Sequence, residues 1–184
     1  MTLFRNKFRI ESTRIKDFDY STPWWYYVTI NTKDHIYQFG NIKNCKMILN
    51  DIGKIVDAEW LRTKEIRKNV DLDYYVIMPN HFHGIVILNA QLDVETRCGV
   101  SLQHQNENIF SKPVKNSLSV VINQFKGSVK RWCNKNGYVN FKWQPLFYDR
   151  IIRNEKELYK IRKYITDNPL KWEIEKSNPE NLNI

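Results

Sequence analysis

Two apolar runs, Tyr74-Tyr75-Val76-Ile77 and Ile85-Val86-Ile87-Leu88, flank the stretch Met78-Pro79-Asn80-His81-Phe82-His83-Gly84. Short β-branched and aromatic runs on either side of a Pro-Asn turn predict two paired strands over 73–88, both apolar enough for a sheet interior. Upstream, the turn-rich Asp19-Tyr20-Ser21-Thr22-Pro23 leads into a β-prone run at 24–30, the first strand. Between 42 and 68 the residues Ile48, Ile52, Ile55, Val56, Trp60 and Leu61 recur at three- and four-residue intervals, which predicts an amphipathic helix. Gly40 marks the turn before it and Gly53 a weak point inside it. A second helical stripe runs through Leu118, Val121, Ile122, Phe125, Val129 and Trp132 and ends at Asn136-Gly137. The aromatic segment 141–152, interrupted by Pro145, reads as an edge or broken strand. Asn154 with Glu157 has the spacing of a helix start, and Pro169 predicts the stop of that helix near Asn168. Strand, helix, strand, strand, helix, strand, helix is the order of an α+β sandwich, a mostly antiparallel sheet covered by helices.

The 184 residues are 42% hydrophobic, enough for one compact domain with a real core. That domain is placed at 24–176, after a basic and irregular arm at 1–23 and before a tail at 177–184. The polar, aperiodic segment 89–115 is expected to be a surface loop. Cys45, Cys98 and Cys133 show no CxxC spacing, so neither a disulfide framework nor a cysteine zinc site is signalled, and a reducing, cytoplasmic setting is the default. The first residues lack the apolar core of a secretory leader and no run is long enough to span a membrane, so no membrane partner is expected. The net charge of +9 comes from 29 Lys and Arg spread along the whole chain. A positive folded surface makes a polyanion the first partner to consider.

Chemistry enters with His81 and His83, two of only four histidines. Residues i and i+2 of a strand face the same way, so the two imidazoles form half of a metal site or of a catalytic pocket, or serve as structural residues. On the last helix Leu158, Ile161 and Ile165 make the buried stripe, with Lys156, Lys160 and Lys163 on the opposite, solvated side. Tyr164 and Asn168 share its shoulder at i and i+4. A phenol and an amide oxygen one turn apart could meet the His-x-His strand, holding a divalent ion and an oxygen nucleophile together. Asn168 can equally cap the helix, and Tyr148 and Tyr159 compete as nucleophiles.

Met78-Pro79-Asn80 followed by His81-Phe82-His83 resembles the HUH motif, histidine–hydrophobe–histidine, of single-tyrosine transposases. Trp143-Gln144-Pro145, then the run from Phe147 to Asn154, then Tyr164-Ile165-Thr166-Asp167-Asn168-Pro169 are similar to the REP-associated branch of that family, in the same order. Asp19-Tyr20-Ser21 and Gln124-Phe125-Lys126 fit it too. The resemblance implies a ferredoxin-like sandwich with the HUH strand facing a C-terminal tyrosine helix. It further implies His81, His83 and Asn168 as ligands of Mg²⁺ or Mn²⁺, and Tyr164 as nucleophile. The implied activity is nicking and strand transfer on single-stranded DNA carrying a hairpin, through a 5′-phosphotyrosine, by a monomer or homodimer. A domesticated hairpin-binding protein that no longer cuts is the alternative. A His-x-His metallohydrolase lacks the accompanying Asp or Glu cluster. Basic candidates for holding DNA are Arg5, Lys7, Arg9 and Arg14 in the arm and Lys126, Lys130 and Arg131 on the second helix, with Trp24, Trp25 or Trp143 as stacking surfaces.

Overall fold

The computed structural model describes residues 18–90, 114 and 116–177, together with the backbone of 3–4 and 7–8; side chains are described only within 18–175. Most of the expected 89–115 loop therefore lies outside the described residues. The chain order is β1 (Leu3–Phe4), β2 (Lys7–Phe8), β3 (Trp25–Asn31), β4 (Gly40–Lys43), β5 (Lys46–Leu49), α1 (Asp51–Ile66), β6 (Val70–Ile77), β7 (His81–Leu88), α2 (Leu118–Lys135), β8 (Tyr148–Ile151) and α3 (Glu155–Ser177). The arm expected to be irregular contains the short antiparallel pair β1 and β2, with Leu3 opposite Phe8.

The central sheet runs β6-β7-β3-β8, and every neighbouring pair is antiparallel. This is the ferredoxin-like arrangement: β7 splits β3 from β6, and α1 makes the crossover between those two strands. Both edges of β3 are paired, and β8 is the short edge strand expected after Pro145. Because side chains alternate, the sheet has two different faces. Tyr26, Val28, Ile30, Phe82 and Val86 point to one side and pack with Val56 and Trp60 of α1 and Ile122 and Phe125 of α2. Ile85 points to the other side, where Ile161 and Ile165 of α3 join it with Ile152, Trp25, Tyr27 and Leu158.

Two expectations are corrected. The helix expected across 42–68 begins only at Asp51, capped by Asn50, whose side-chain oxygen accepts from the Gly53 N–H at 2.9 Å. Residues 40–49 instead form the β4–β5 hairpin, turned by Asn44 and Cys45, both left-handed at φ 54° and 58°. A two-residue loop with both residues left-handed matches the twist of a hairpin, and Asn tolerates that region. Ile48 fits a helical spacing with Ile52 and a strand alternation equally well, which is how the hairpin hides in the pattern.

Helix α3, in turn, does not stop at Asn168 but runs through Pro169 to Ser177. Pro169 has no N–H to give the carbonyl one turn back, so the helix forgoes one bond there. Contacts beyond the proline hold it: the Trp172 ring lies 5.7 Å from those of both Tyr37 and His81. The Glu173 carboxylate accepts the backbone N–H groups of Asn44 and Cys45 in the hairpin turn. The expected start is as read, with Asn154 Oδ1 accepting from the Glu157 N–H at 2.9 Å. Asn168 is thus an interior helix residue and not a cap.

Candidate active site

Strand register sets the first half of the site. His83 pairs with Thr29 of β3 on one side and Val76 of β6 on the other, while His81 pairs with Asn31. All of these side chains face α3. Phe82, between the histidines, points the opposite way onto Trp60, with ring centroids 4.5 Å apart. The two imidazoles lie 4.6 Å apart, centroid to centroid.

Helix α3 supplies the second half. The Tyr164 ring lies 5.4 Å from that of His83, and Trp172, two turns on, sits by His81. Asn168 occupies the turn between them on the same stripe and is only 7% exposed. Tyr164 itself is 42% exposed, so its hydroxyl-bearing ring is open to a ligand from solvent. The Lys171 ammonium lies over that ring at 5.2 Å, a positive charge beside the phenol.

The competing tyrosines are placed elsewhere. Tyr148 is in the same cross-strand row as Thr29 and His83, but two strands from the histidine, roughly 10 Å away at ordinary strand spacing. Tyr159 is on α3 but 69% exposed and on another face of it.

Polar contacts orient both imidazoles. His83 Nδ1 lies 2.7 Å from the Tyr27 hydroxyl and 2.8 Å from the Thr29 hydroxyl. His81 Nδ1 lies 2.7 Å from Asn80 Oδ1, and Asn80 Nδ2 donates to the His35 carbonyl at 3.0 Å. Burial, reinforced by the neighbouring His35, pushes the His81 pKa down to about 4; burial, reinforced by His81, pushes that of His83 to about 3. Both rings are therefore neutral at pH 7. Burial also holds the Tyr27 phenol well above its usual range, so it remains a neutral hydroxyl turned onto His83.

Tyr27, Thr29 and Lys171 were not among the residues expected at the site. The signal for the first two is the alternation Trp25, Tyr27, Thr29 along the first strand, which becomes readable only once its register against 81–88 is known.

The expected DNA contacts are spread out. Arg5, Arg9 and Arg14 lie outside the described residues, and Lys7 is described by its backbone alone. Lys126, Lys130 and Arg131 sit on α2, across the sheet from Tyr164. Lys126 donates to the carbonyls of Gln144 and Leu146 at 2.8 and 2.7 Å, and burial lowers its pKa to about 8. Lys130 donates to the carbonyls of Val139 and Phe141. These two ammonium groups brace the segment that leads into β8, while Arg131 stays exposed. Trp143 packs in the core against Phe39, Phe125 and Phe141 and donates to the Lys126 carbonyl. Trp25 lies half-buried under Arg162, and Trp24, 43% exposed, donates to the Ile152 carbonyl.

The donor set fits a divalent ion in one way. Among the described residues no three His, Cys, Asp or Glu side chains gather, so a third ligand drawn from them would be of another kind. Asn168, buried on the α3 stripe between Tyr164 and Trp172, carries a carbonyl oxygen of the kind that hard divalent ions accept, and with two imidazoles it would make a mixed nitrogen–oxygen donor set.

The four-stranded antiparallel sheet with α3 over its histidine-bearing face is a fold shared with a solved transposase. The chain superimposes on a REP-associated tyrosine transposase solved bound to a REP hairpin with a TM-score of 0.56 and 19% identity, over 88% of this chain and 74% of that one. A candidate transposase of Deinococcus radiodurans gives a TM-score of 0.41 at 14% identity, too low to add to the assignment. In sequence the chain is 35% identical over 162 residues to an uncharacterised protein of Haemophilus influenzae, covering 88% of this chain and 89% of that protein, and it belongs to one family with it. No protein-family profile matches the chain. Among the described residues no helix is long and apolar enough to cross a membrane.

Proposed function

We propose that this protein is a single-tyrosine HUH transposase-type enzyme that nicks and rejoins single-stranded DNA beside a hairpin. The observation that carries the reading is the convergence of Tyr164, on α3, with His81 and His83, on β7, with Asn168 on the turn between the two rings that cover the histidines. The fold neighbour solved bound to a REP hairpin supports a hairpin as the partner.

The residues divide the work. Tyr164, exposed at the rim, offers its Oη to a phosphorus atom; the new O–P bond forms as the bond to the departing 3′-oxygen breaks, and that oxygen takes up a proton. The product is a 5′-phosphotyrosine and a free 3′-hydroxyl, so the phosphodiester is exchanged and not lost to water. A second 3′-hydroxyl reverses the step and reseals the strand. His81, His83 and Asn168 would hold Mg²⁺ or Mn²⁺, which when bound polarises the phosphate and offsets its growing charge. Neutral imidazoles and an amide suit that role because they leave the ion's charge uncancelled. Lys171 adds a fixed positive charge beside the tyrosine.

The test is a denaturing gel with labelled hairpin-bearing single-stranded DNA and Mn²⁺. The wild-type protein should form a covalent adduct, and Tyr164→Phe should bind the same DNA and form none. An adduct surviving in that variant would move the nucleophile to Tyr148 or Tyr159. Hairpin binding without any adduct from the wild type would leave a binding protein that does not cut.

A further inference from the structure

We propose that Asn80 is a positioning residue that fixes His81 as its Nδ1–H tautomer, leaving Nε2 as the lone-pair nitrogen of the site. The consequence for a bound ion rests on the function proposed above; the tautomer itself does not.

The His35 carbonyl can only accept. The end of the Asn80 amide that meets it at 3.0 Å must therefore be the NH₂ group, and this sets the orientation of the amide on chemical grounds. The other end, a carbonyl oxygen that also only accepts, lies 2.7 Å from His81 Nδ1. That nitrogen must carry the proton. A neutral imidazole has a single N–H, so Nε2 is bare.

The relay is well supported. Asn80 is 8% exposed, and its backbone carbonyl accepts from the Thr32 N–H at 2.9 Å. The Thr32 hydroxyl lies 2.7 Å from the Ile36 carbonyl, clasping the loop that carries His35. In that loop Asp34 and His35 are both left-handed, at φ 55° and 52°, a conformation that costs free energy for residues with a side chain. The strained loop aims the His35 carbonyl at the amide.

His83 is held differently. Its Nδ1 meets two hydroxyls, those of Tyr27 and Thr29, and a hydroxyl can donate or accept. Nothing in that arrangement imposes a tautomer. The pair is thus asymmetric: His81 is locked and His83 is free to change.

The experiment reads the tautomer directly, by long-range ¹H–¹⁵N correlation of the histidine rings in the metal-free, ¹⁵N-labelled full chain at pH 7.5. Wild-type His81 should show a bare Nε2 and a protonated Nδ1. Asn80→Ala should populate the Nε2–H form, and Asn80→Asp, which keeps the acceptor, should restore Nδ1–H. By calorimetry Asn80→Ala should bind Mn²⁺ about 10- to 100-fold more weakly, the loss that follows from removing a partner that orients a ligand, with recovery in Asn80→Asp. Wild-type His81 found as Nε2–H, or protonated on both nitrogens, overturns the proposal, as does a folded Asn80→Ala that keeps Nδ1–H. Mixed tautomers with unchanged Mn²⁺ affinity overturn its link to the ion. Should Asn80→Ala fail to fold, the wild-type spectrum still decides. If the wild type binds no Mn²⁺ and forms no adduct, the proposed function falls while the spectrum continues to judge Asn80.

Discussion

Gly84 sits one residue beyond the histidine pair, and adding a single methyl there should unsettle the strand that carries it. A Cβ at this position would lie 2.6 Å from Trp60 Cζ2 and 2.8 and 2.9 Å from two atoms of the Phe82 ring. Carbon atoms rest at about 3.5–4.0 Å, so the indole would have to retreat by about 1 Å. It has no room to do so, being fully buried and packed 4.5 Å from Phe82 and 5.3 Å from Phe125. Overpacking of this kind costs about 1–3 kcal/mol. For a chain of this length each kcal/mol moves the melting temperature by about 2–4 °C, so Gly84→Ala should melt about 2–12 °C lower. Thermal unfolding followed by near-ultraviolet circular dichroism reads this directly. A double-mutant cycle sharpens it, because Trp60→Phe removes the nearest clashing atom, Cζ2, along with an indole N–H that is buried with no partner among the described residues. In that background the added methyl should cost at least 1 kcal/mol or so less. A Gly84→Ala protein that melts within about 1 °C of wild type, or a cycle with no coupling, would refute the reasoning.

Two further outcomes follow from the site and its supports. Acid should destabilise the fold through the histidines: their folded pKa values, about 4 and about 3, lie below the ordinary 6.5, so the unfolded chain takes up protons that the folded chain refuses. Stability is then complete above pH 6.5 and falls as pH drops toward 4, by on the order of 1 kcal/mol per pH unit for each ring. Carboxylates with lowered pKa values, such as Glu157, lose their contribution in a more acidic window, below 4.5. Melting curves between pH 7 and 4.5 should therefore flatten in the double variant His81→Gln/His83→Gln, and a wild-type protein equally stable across that range would contradict the assignment. Glu173→Ala should release the hairpin turn, raising exchange of the Asn44 and Cys45 amide protons by about 10- to 100-fold, as expected for losing hydrogen bonds to a carboxylate. Unchanged protection by hydrogen-exchange NMR would show that the turn stands without α3.

What could be read from the chain follows the reach of each physical signal. The strands around 81–83 and the stripes of α2 and α3 rest on local periodicity, and their burial matches it, with Val121, Ile122, Phe125, Ile161 and Ile165 all buried. The parity of His81 and His83 and the i, i+4 pairing of Tyr164 with Asn168 are also local rules, while joining the two pairs into one site rests on the resemblance to the transposase motifs. The partners of His83 cannot, since Tyr27 and Thr29 are 56 and 54 residues away and reach it only through strand register. The continuation of α3 past Pro169 depends on Trp172 and Glu173 touching segments more than ninety residues distant, which outweighs the local penalty of the proline. The β4–β5 hairpin is hidden because apolar spacing at 42–52 satisfies two periods at once.

The alternation along β7 also bears on how such a protein can change over time. Residues 81, 83 and 85 face the tyrosine helix, while 82, 84 and 86 face α1 and α2, so chemistry and architecture occupy alternating positions of one strand. At neutral pH selection for a folded chain acts more on the even positions and on the buried Ile85 than on the two histidines. A lineage could therefore lose His81 or His83 and keep its scaffold, whereas changes at Phe82 or Gly84 cost stability. Positions 81 and 83 thus answer to what the α3 face of the sheet binds, and positions 82, 84 and 86 to how the chain folds.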